Sequence, residues 1–126
     1  MTSLPDGFYL ARLELAREPG HPEGSRHDGY EIVMPLDHRG HIDADAWRAN
    51  KDKCRVRRFT EDGEVRAGHL ARKPGGAWYI DYRKDVADEE DAFHFNEERF
   101  VIGEYASIRD EDGKMHTYRI VSVESV

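Results

Sequence analysis

The stretch that most constrains the fold is FVIGEYASIRDEDGKMHTYRIVSV, residues 100–123. It alternates apolar and polar residues on both sides of Asp110-Glu111-Asp112-Gly113. An Asp-Gly pair supplies the positive-φ position of a tight turn between antiparallel strands. Ile102, Ala106 and Ile108 share one face of the first arm, against Val101, Gly103 and Tyr105. On the second arm His116, Tyr118 and Ile120 oppose Val121 and Val123. A hairpin that is apolar on both faces suits a closed barrel with part of its outside covered, rather than a half-open sheet.

The same rhythm recurs upstream. Tyr9, Ala11, Leu13 and Leu15 alternate with Leu10, Arg12, Glu14 and Ala16, and Tyr30, Ile32 and Met34 line one face of a second strand that Pro35 ends or confines to an edge. Lys53–Phe59 and Glu64–Lys73 flank a turn at Glu61-Asp62-Gly63, Pro74-Gly75-Gly76 leads into Ala77–Tyr82, and Phe93–Phe95 forms a further short strand. One short helix is expected near residues 44–51, capped by Asp43, with Asp45 in its first turn and Lys51 and Lys53 at its end. Its Ala44 and Trp47 face the sheet, and Trp47 plugs one end of the core. About seven short strands with one helix predict an all-β, mainly antiparallel small barrel. Residues 1–126 read as a single domain, with a flexible Pro/Gly-rich loop at 18–29 and an acidic loop at 85–92.

Composition bounds the function. Charged residues make up 36% of the chain and mean hydropathy is -0.84, so the core is small. Cys54 is the only cysteine, which excludes an internal disulfide. With no secretory leader and no long apolar run, the expectation is a soluble, cytoplasmic protein that does not enter a membrane. The net charge of -7 is unevenly spread: residues 1–47 carry -5, residues 48–84 carry +6, residues 85–112 carry -9 and the rest +1. Segregation of this kind points to partners of opposite charge, or to self-association.

The basic block supplies the first candidate site. Lys53, Arg55 and Arg57 share a strand face, and pairing Phe59 with Glu64 across the turn sets Arg66 opposite Arg57 and His69 opposite Cys54. Opposed cations need an offset. A protein partner supplies one, and the acidic run Asp88–Asp91 another, folded over the ribbon or meeting it on a second copy of the chain. A nucleic-acid backbone supplies another, with Trp78, Tyr79 and Tyr82 as stacking groups, although the pI near 5.5 opposes it.

Imidazole and carboxylate ligands for a metal cluster in DHRGHIDAD, where His38, His41 and Asp43 are the weak candidates, but the spacing matches no H-E-x-x-H pattern. His69, His94 and His116 on strands offer a second set. No nucleophile elbow, P-loop or dinucleotide fingerprint is present, and no cofactor is implied. The stretches GHIDADAWRA, DKCRVRRF, KPGGAWYI and GEYASIRDEDGKMHTYRIVSV resemble a family of small bacterial proteins. That resemblance implies a single cytoplasmic domain of bacterial origin and brings no activity with it. The expected function is a non-enzymatic binding or protein-interaction module. The alternatives are a nucleic-acid-binding barrel and a small metal-dependent enzyme.

Overall fold

A computed structural model describes residues 7–82, 89–91, 95, 98–110 and 113–126. Eight strands run through them: β1 (Phe8–Leu15), β2 (Ser25–Pro35), β3 (Arg55–Phe59), β4 (Val65–Arg72), β5 (Trp78–Asp81), β6 (Glu89–Asp91), β7 (Tyr105–Arg109) and β8 (Met115–Ser125). Each pairs antiparallel with the next, and β8 returns to pair with β1, so the sheet closes into an up-and-down barrel whose β6–β7 seam is held, among the described residues, by the single pair Asp91–Arg109. The helix α1 (Ala44–Ala49) and a 3-10 turn at Lys51–Lys53 bridge β2 and β3. Among the described residues no helix is long and apolar enough to cross a membrane.

Alternation fills the inside. Ala11, Leu13, Ile32, Met34, Ile80 and Ile120 are all sealed in the core. Because consecutive strands are joined by hairpins, the connections fall alternately at two ends of the barrel. At one end the Asp43 carboxylate accepts from the Ala46 backbone N–H (3.1 Å), starting α1 where the sequence places it. The helix drops Trp47 onto the barrel, where its indole N–H donates to the Leu70 carbonyl (2.9 Å) and its ring meets Trp78 edge-on at 5.0 Å. Trp47 is the expected apolar plug. The β1–β2, β3–β4 and β7–β8 hairpins rim the opposite end, which is polar.

Four details differ from the sequence reading. Thr60 and Glu64 close the β3–β4 turn, Thr60 N–H to Glu64 carbonyl at 3.1 Å, leaving a three-residue loop with Gly63 at φ 88°. The register therefore shifts by one: Phe59 pairs with Val65, Arg58 with Arg66 and Arg55 with His69. On β8, Arg12 faces Ser122 while Leu13 faces Ile120, so Val121 is an extra, bulged residue. The bulge changes the parity of the strand, and Val123 packs against the core instead of sharing Val121's face. The last hairpin is shorter than its alternation suggests: Val101–Glu104 is a turn with Gly103 at φ 95°, and Ile102 is exposed. Finally β2 begins at Ser25, inside the stretch assigned to a loop, and Glu89–Asp91 pairs with β5 inside the stretch assigned to the acidic loop. Residues 83–88 and 92–94 lie outside the described residues, and with them most of that loop and of the Phe93–Phe95 strand.

The start of β2 holds a larger irregularity. Glu14 pairs with Gly29 but Leu15 pairs with Ser25, so Arg26, His27 and Asp28 bulge out of the ladder. A Cβ on Gly29 would lie 1.9 Å from the Leu13 carbonyl oxygen and 3.0 Å from the Phe59 ring. Only glycine allows the two backbones this close. We therefore expect Gly29→Ala to lower stability by at least about 1–3 kcal/mol, the usual cost of overpacking. Urea unfolding of the two proteins measures it, and an unchanged midpoint would show that the bulge is not held as described.

Candidate functional site

The structure splits the basic block between two surfaces. Arg55 and Arg57 point outward from β3, whereas Arg58 points into the barrel, opposite the equally inward Arg66. Arg57 is offset by its cross-strand neighbour: Nη1 lies 2.7 Å from Glu31 Oε1. Arg12 continues this network, reaching Glu14 at 2.9 Å and Glu31 at 3.5 Å, and its guanidinium covers the outward Phe59 ring at 4.4 Å. The offset expected from a partner or the acidic run thus comes, for Arg57, from β2. Lys53 ends the 3-10 turn, half-buried. Trp78 and Tyr82 are each 4% exposed; Trp78 packs on Trp47, and the Arg66 guanidinium lies 3.9 Å above the Tyr82 ring. Neither presents a face for a base to stack on.

The metal candidates do not converge. Asp43 is occupied as the cap of α1, His38 is exposed, and Asp37 organises its own turn by accepting from the Arg39 and His41 backbone N–H groups (2.8 and 3.0 Å). Partial desolvation of the Asp37 carboxyl is outweighed by those two bonds, which hold its pKa below the ordinary value. Among the described residues no three His, Cys, Asp or Glu side chains form a metal-binding group. His69 faces outward between Arg55 and Asp81, His116 faces inward, and His94 lies outside the described residues. Cys54 points into the core away from His69; burial, then the Asp52 charge, push its thiol up to about 12, so it is no nucleophile at neutral pH.

Two features stand together at the polar end: Arg58, which the sequence did not single out, and His116, which it offered only as a metal ligand. Inside the mouth, Arg58 Nη1 donates to Asp28 (2.7 Å) and to the Gly29 and Phe59 carbonyls (3.1 and 2.6 Å). Its guanidinium lies 4.7 Å from the Tyr30 ring centroid and 6.0 Å from that of Tyr118, two rings that meet edge-on. Burial disfavours its charge, but Tyr30, Tyr118 and Asp28 together raise its pKa. At the rim His116 is held between two carboxylates, Nδ1 at 2.9 Å from Glu18 and Nε2 at 3.1 Å from Asp110.

On the outer wall beside this mouth lies a groove of about 1010 Å³. Arg17 follows β1, Arg26 stands on the β2 bulge and Arg119 projects from β8, and all three line it. The bulge is fastened from both faces, since Arg12 Nη2 donates to the Arg26 carbonyl (3.0 Å) outside while Arg58 holds Asp28 and Gly29 inside. Arg26 is thereby held at the groove. No described residue makes a hydrogen bond or ion pair with any of these three guanidiniums. Of the groove's two acids, Glu14 is already paired with Arg12. Tyr105, 54% exposed and cross-strand from Arg119, and Val121 give the groove an apolar side. A second, smaller hollow of about 330 Å³ shares Arg26 and His27 across the bulge.

Comparison with protein-family models, with curated proteins and with solved structures finds no match. The site therefore rests on its geometry. The alternation of β8 places Arg119 outward once Tyr118 is inward, but nothing in the sequence brings Arg17 and Arg26 beside it. That requires β8 to close on β1.

The Arg58–Asp28 pair is testable. Asp28→Ala leaves a largely buried guanidinium without its carboxylate, and we expect a loss of about 2–3 kcal/mol, below the ~3–5 of a fully sealed pair. Arg58→Met combined with Asp28→Leu should recover most of it. Denaturant melts of the single and double variants decide; additive losses would show that the two side chains do not interact.

Proposed function

We propose that the protein is a non-enzymatic interaction module that docks an acidic segment of a protein partner in the groove lined by Arg17, Arg26 and Arg119. The observation that carries this reading is the convergence of three guanidiniums, without hydrogen-bond or ion-pair partners among the described residues, beside an exposed tyrosine. Arginine and tyrosine are the residues that dominate protein interfaces, because each combines a large contact area with directional polar groups.

A protein segment fits better than a nucleic acid. Of the aromatics suggested for base stacking, Trp78 and Tyr82 are buried and the half-buried Tyr79 has the Lys73 ammonium over its ring, and a chain of net charge -7 repels a long polyanion beyond the groove. An acidic segment a few residues long stays within the field of the three arginines, which at physiological salt reaches about 8 Å. The docking surface is therefore centred on β1, β2 and β8, away from the Lys53–Arg66 ribbon.

Selection from a random peptide library tests the reading. Acidic peptides carrying an apolar residue should be enriched, and Arg17→Ala/Arg26→Ala/Arg119→Ala should weaken them by at least about tenfold, equivalent to ~1.4 kcal/mol. Arg55→Ala/Arg57→Ala should leave them unchanged. No acidic enrichment, indifference to the triple variant, or preferential binding of single-stranded oligonucleotides would each overturn it.

A further inference from the structure

We infer that His116 is a proton-operated clasp that sets the shape of the arginine groove, so that the docking proposed above is strongest when this histidine is charged. The inference rests on that reading of the groove and adds its regulation.

Hydrogen-bond valence carries the argument. His116 uses both ring nitrogens, and each faces a carboxylate: Glu18 beyond the end of β1 and Asp110 at the β7–β8 turn. A carboxylate only accepts. A neutral imidazole has one N–H, so it satisfies one of these acids and turns a lone pair on the other. Only the imidazolium donates to both. The ring therefore joins two hairpins across the rim when charged and releases one of them when neutral.

The released element matters because of its neighbour. Ala16 is fixed to β8 by its N–H bond to the Thr117 carbonyl (2.9 Å), and Glu18 is fixed by His116, so Arg17 is held between two anchored residues. Beyond Glu18 the chain makes a tight turn, with Glu18 and His21 exchanging backbone hydrogen bonds of 3.1 and 2.8 Å. His21 Nε2 also ties this turn to Glu61 at 2.8 Å, so when the neutral ring keeps its N–H on Asp110, letting go of Glu18 removes one of two anchors from Arg17 and the turn, and it frees a carboxylate beside a groove meant for acids. Both changes weaken docking.

Among the described residues, the charged groups facing the ring are Glu18 and Asp110. From β7 its partner is the apolar Ile108, and further along its own face lie Tyr118 and, above that ring, Arg58. Burial of the ring opposes its charge, but the hydrogen bonds and charges of Glu18 and Asp110 outweigh it and raise the pKa above the ordinary 6.5. The sign follows: the clasp's contribution is complete below pH 6.5 and is lost as pH rises through the higher folded-state value.

The test separates the clasp from the groove. First, nitrogen-detected titration of the His116 ring and amide exchange of residues 17–24, corrected for intrinsic rates, are followed from about pH 5.5 to about pH 8.5. The ring should titrate above 6.5, and protection of the turn should fall with it. His116→Gln, checked for folding by circular dichroism, should show the low protection at every pH. These readouts need no ligand, so they stand or fall independently of the groove. Second, affinity for a library-selected acidic peptide should drop about five- to tenfold across the same range in the native protein. In His116→Gln, which keeps the groove's own His27, the drop should be smaller and the acid-side affinity reduced. A ring that titrates at or below 6.5, or protection that ignores both pH and the substitution, would overturn the clasp even if peptides bind. Equal pH dependence of binding in the two proteins would overturn its link to the groove.

Discussion

A charge placed inside the barrel governs much of what surrounds it. Arg58 cannot face inward alone: a guanidinium removed from water needs a carboxylate and acceptors. It finds Asp28 and the Gly29 carbonyl on the neighbouring strand, and those contacts are possible only because β2 bulges there. The bulge in turn demands glycine at position 29, and it pushes Arg26 and His27 to the outside. The same placement sets the parity of β3. With Arg58 inside, Arg57 and Phe59 are outside, where Glu31 and Arg12 cover them. One inward arginine thus couples the register of three strands to the layout of the outer wall.

The two ends of the barrel do different jobs for a physical reason. At the helix end the connection between β2 and β3 is long enough to carry α1, and Trp47 seals the core with rings that need only one polar partner, the Leu70 carbonyl. At the hairpin end the β3–β4 and β7–β8 connections are short, and among the described residues no helix covers the core, so the last inward positions there are part-exposed. Arg58 and His116 occupy them, each with its polar tip satisfied, and the buried Tyr30 and Tyr118 rings lie next to the Arg58 guanidinium. The stability of that end therefore depends on hydrogen-bond partners rather than on buried area. Rearrangement costs less at such an end, which suits the docking groove and titrating group proposed beside it.

The barrel was legible because alternation and turn residues are local. Gly63, the Pro74-Gly75-Gly76 turn, the Asp43 cap and the inward faces of β1 and β2 all follow from short windows. What failed was parity over longer distances. A loop of three residues instead of four moved Arg66 from Arg57 to Arg58, and one extra residue at Val121 turned Val123 inward. The period-2 pattern cannot absorb such single-residue changes, because each reverses every side chain beyond it. The groove was invisible for a different reason. Its arginines lie at positions 17, 26 and 119, and only closure of β8 on β1 brings them together.

Net charge misleads here for a related reason. The strongly basic block of the sequence, residues 48–84, reads as the attractive surface, yet Arg57 is paired and Arg58 and Arg66 are turned inward. The three arginines of the groove, which have no partner among the described residues, instead come from segments with little or no excess of base. What a partner meets is not the count of charges along the chain but those left over once the fold has paired its own. In an acidic protein, a patch left basic in this way has a short reach, since its field is opposed by the surroundings and screened within about 8 Å. Such a patch discriminates by contact rather than by steering. Its selectivity then depends on how firmly its arginines are held, Arg26 by a bulge fastened on both faces and Arg17 between Ala16 and Glu18.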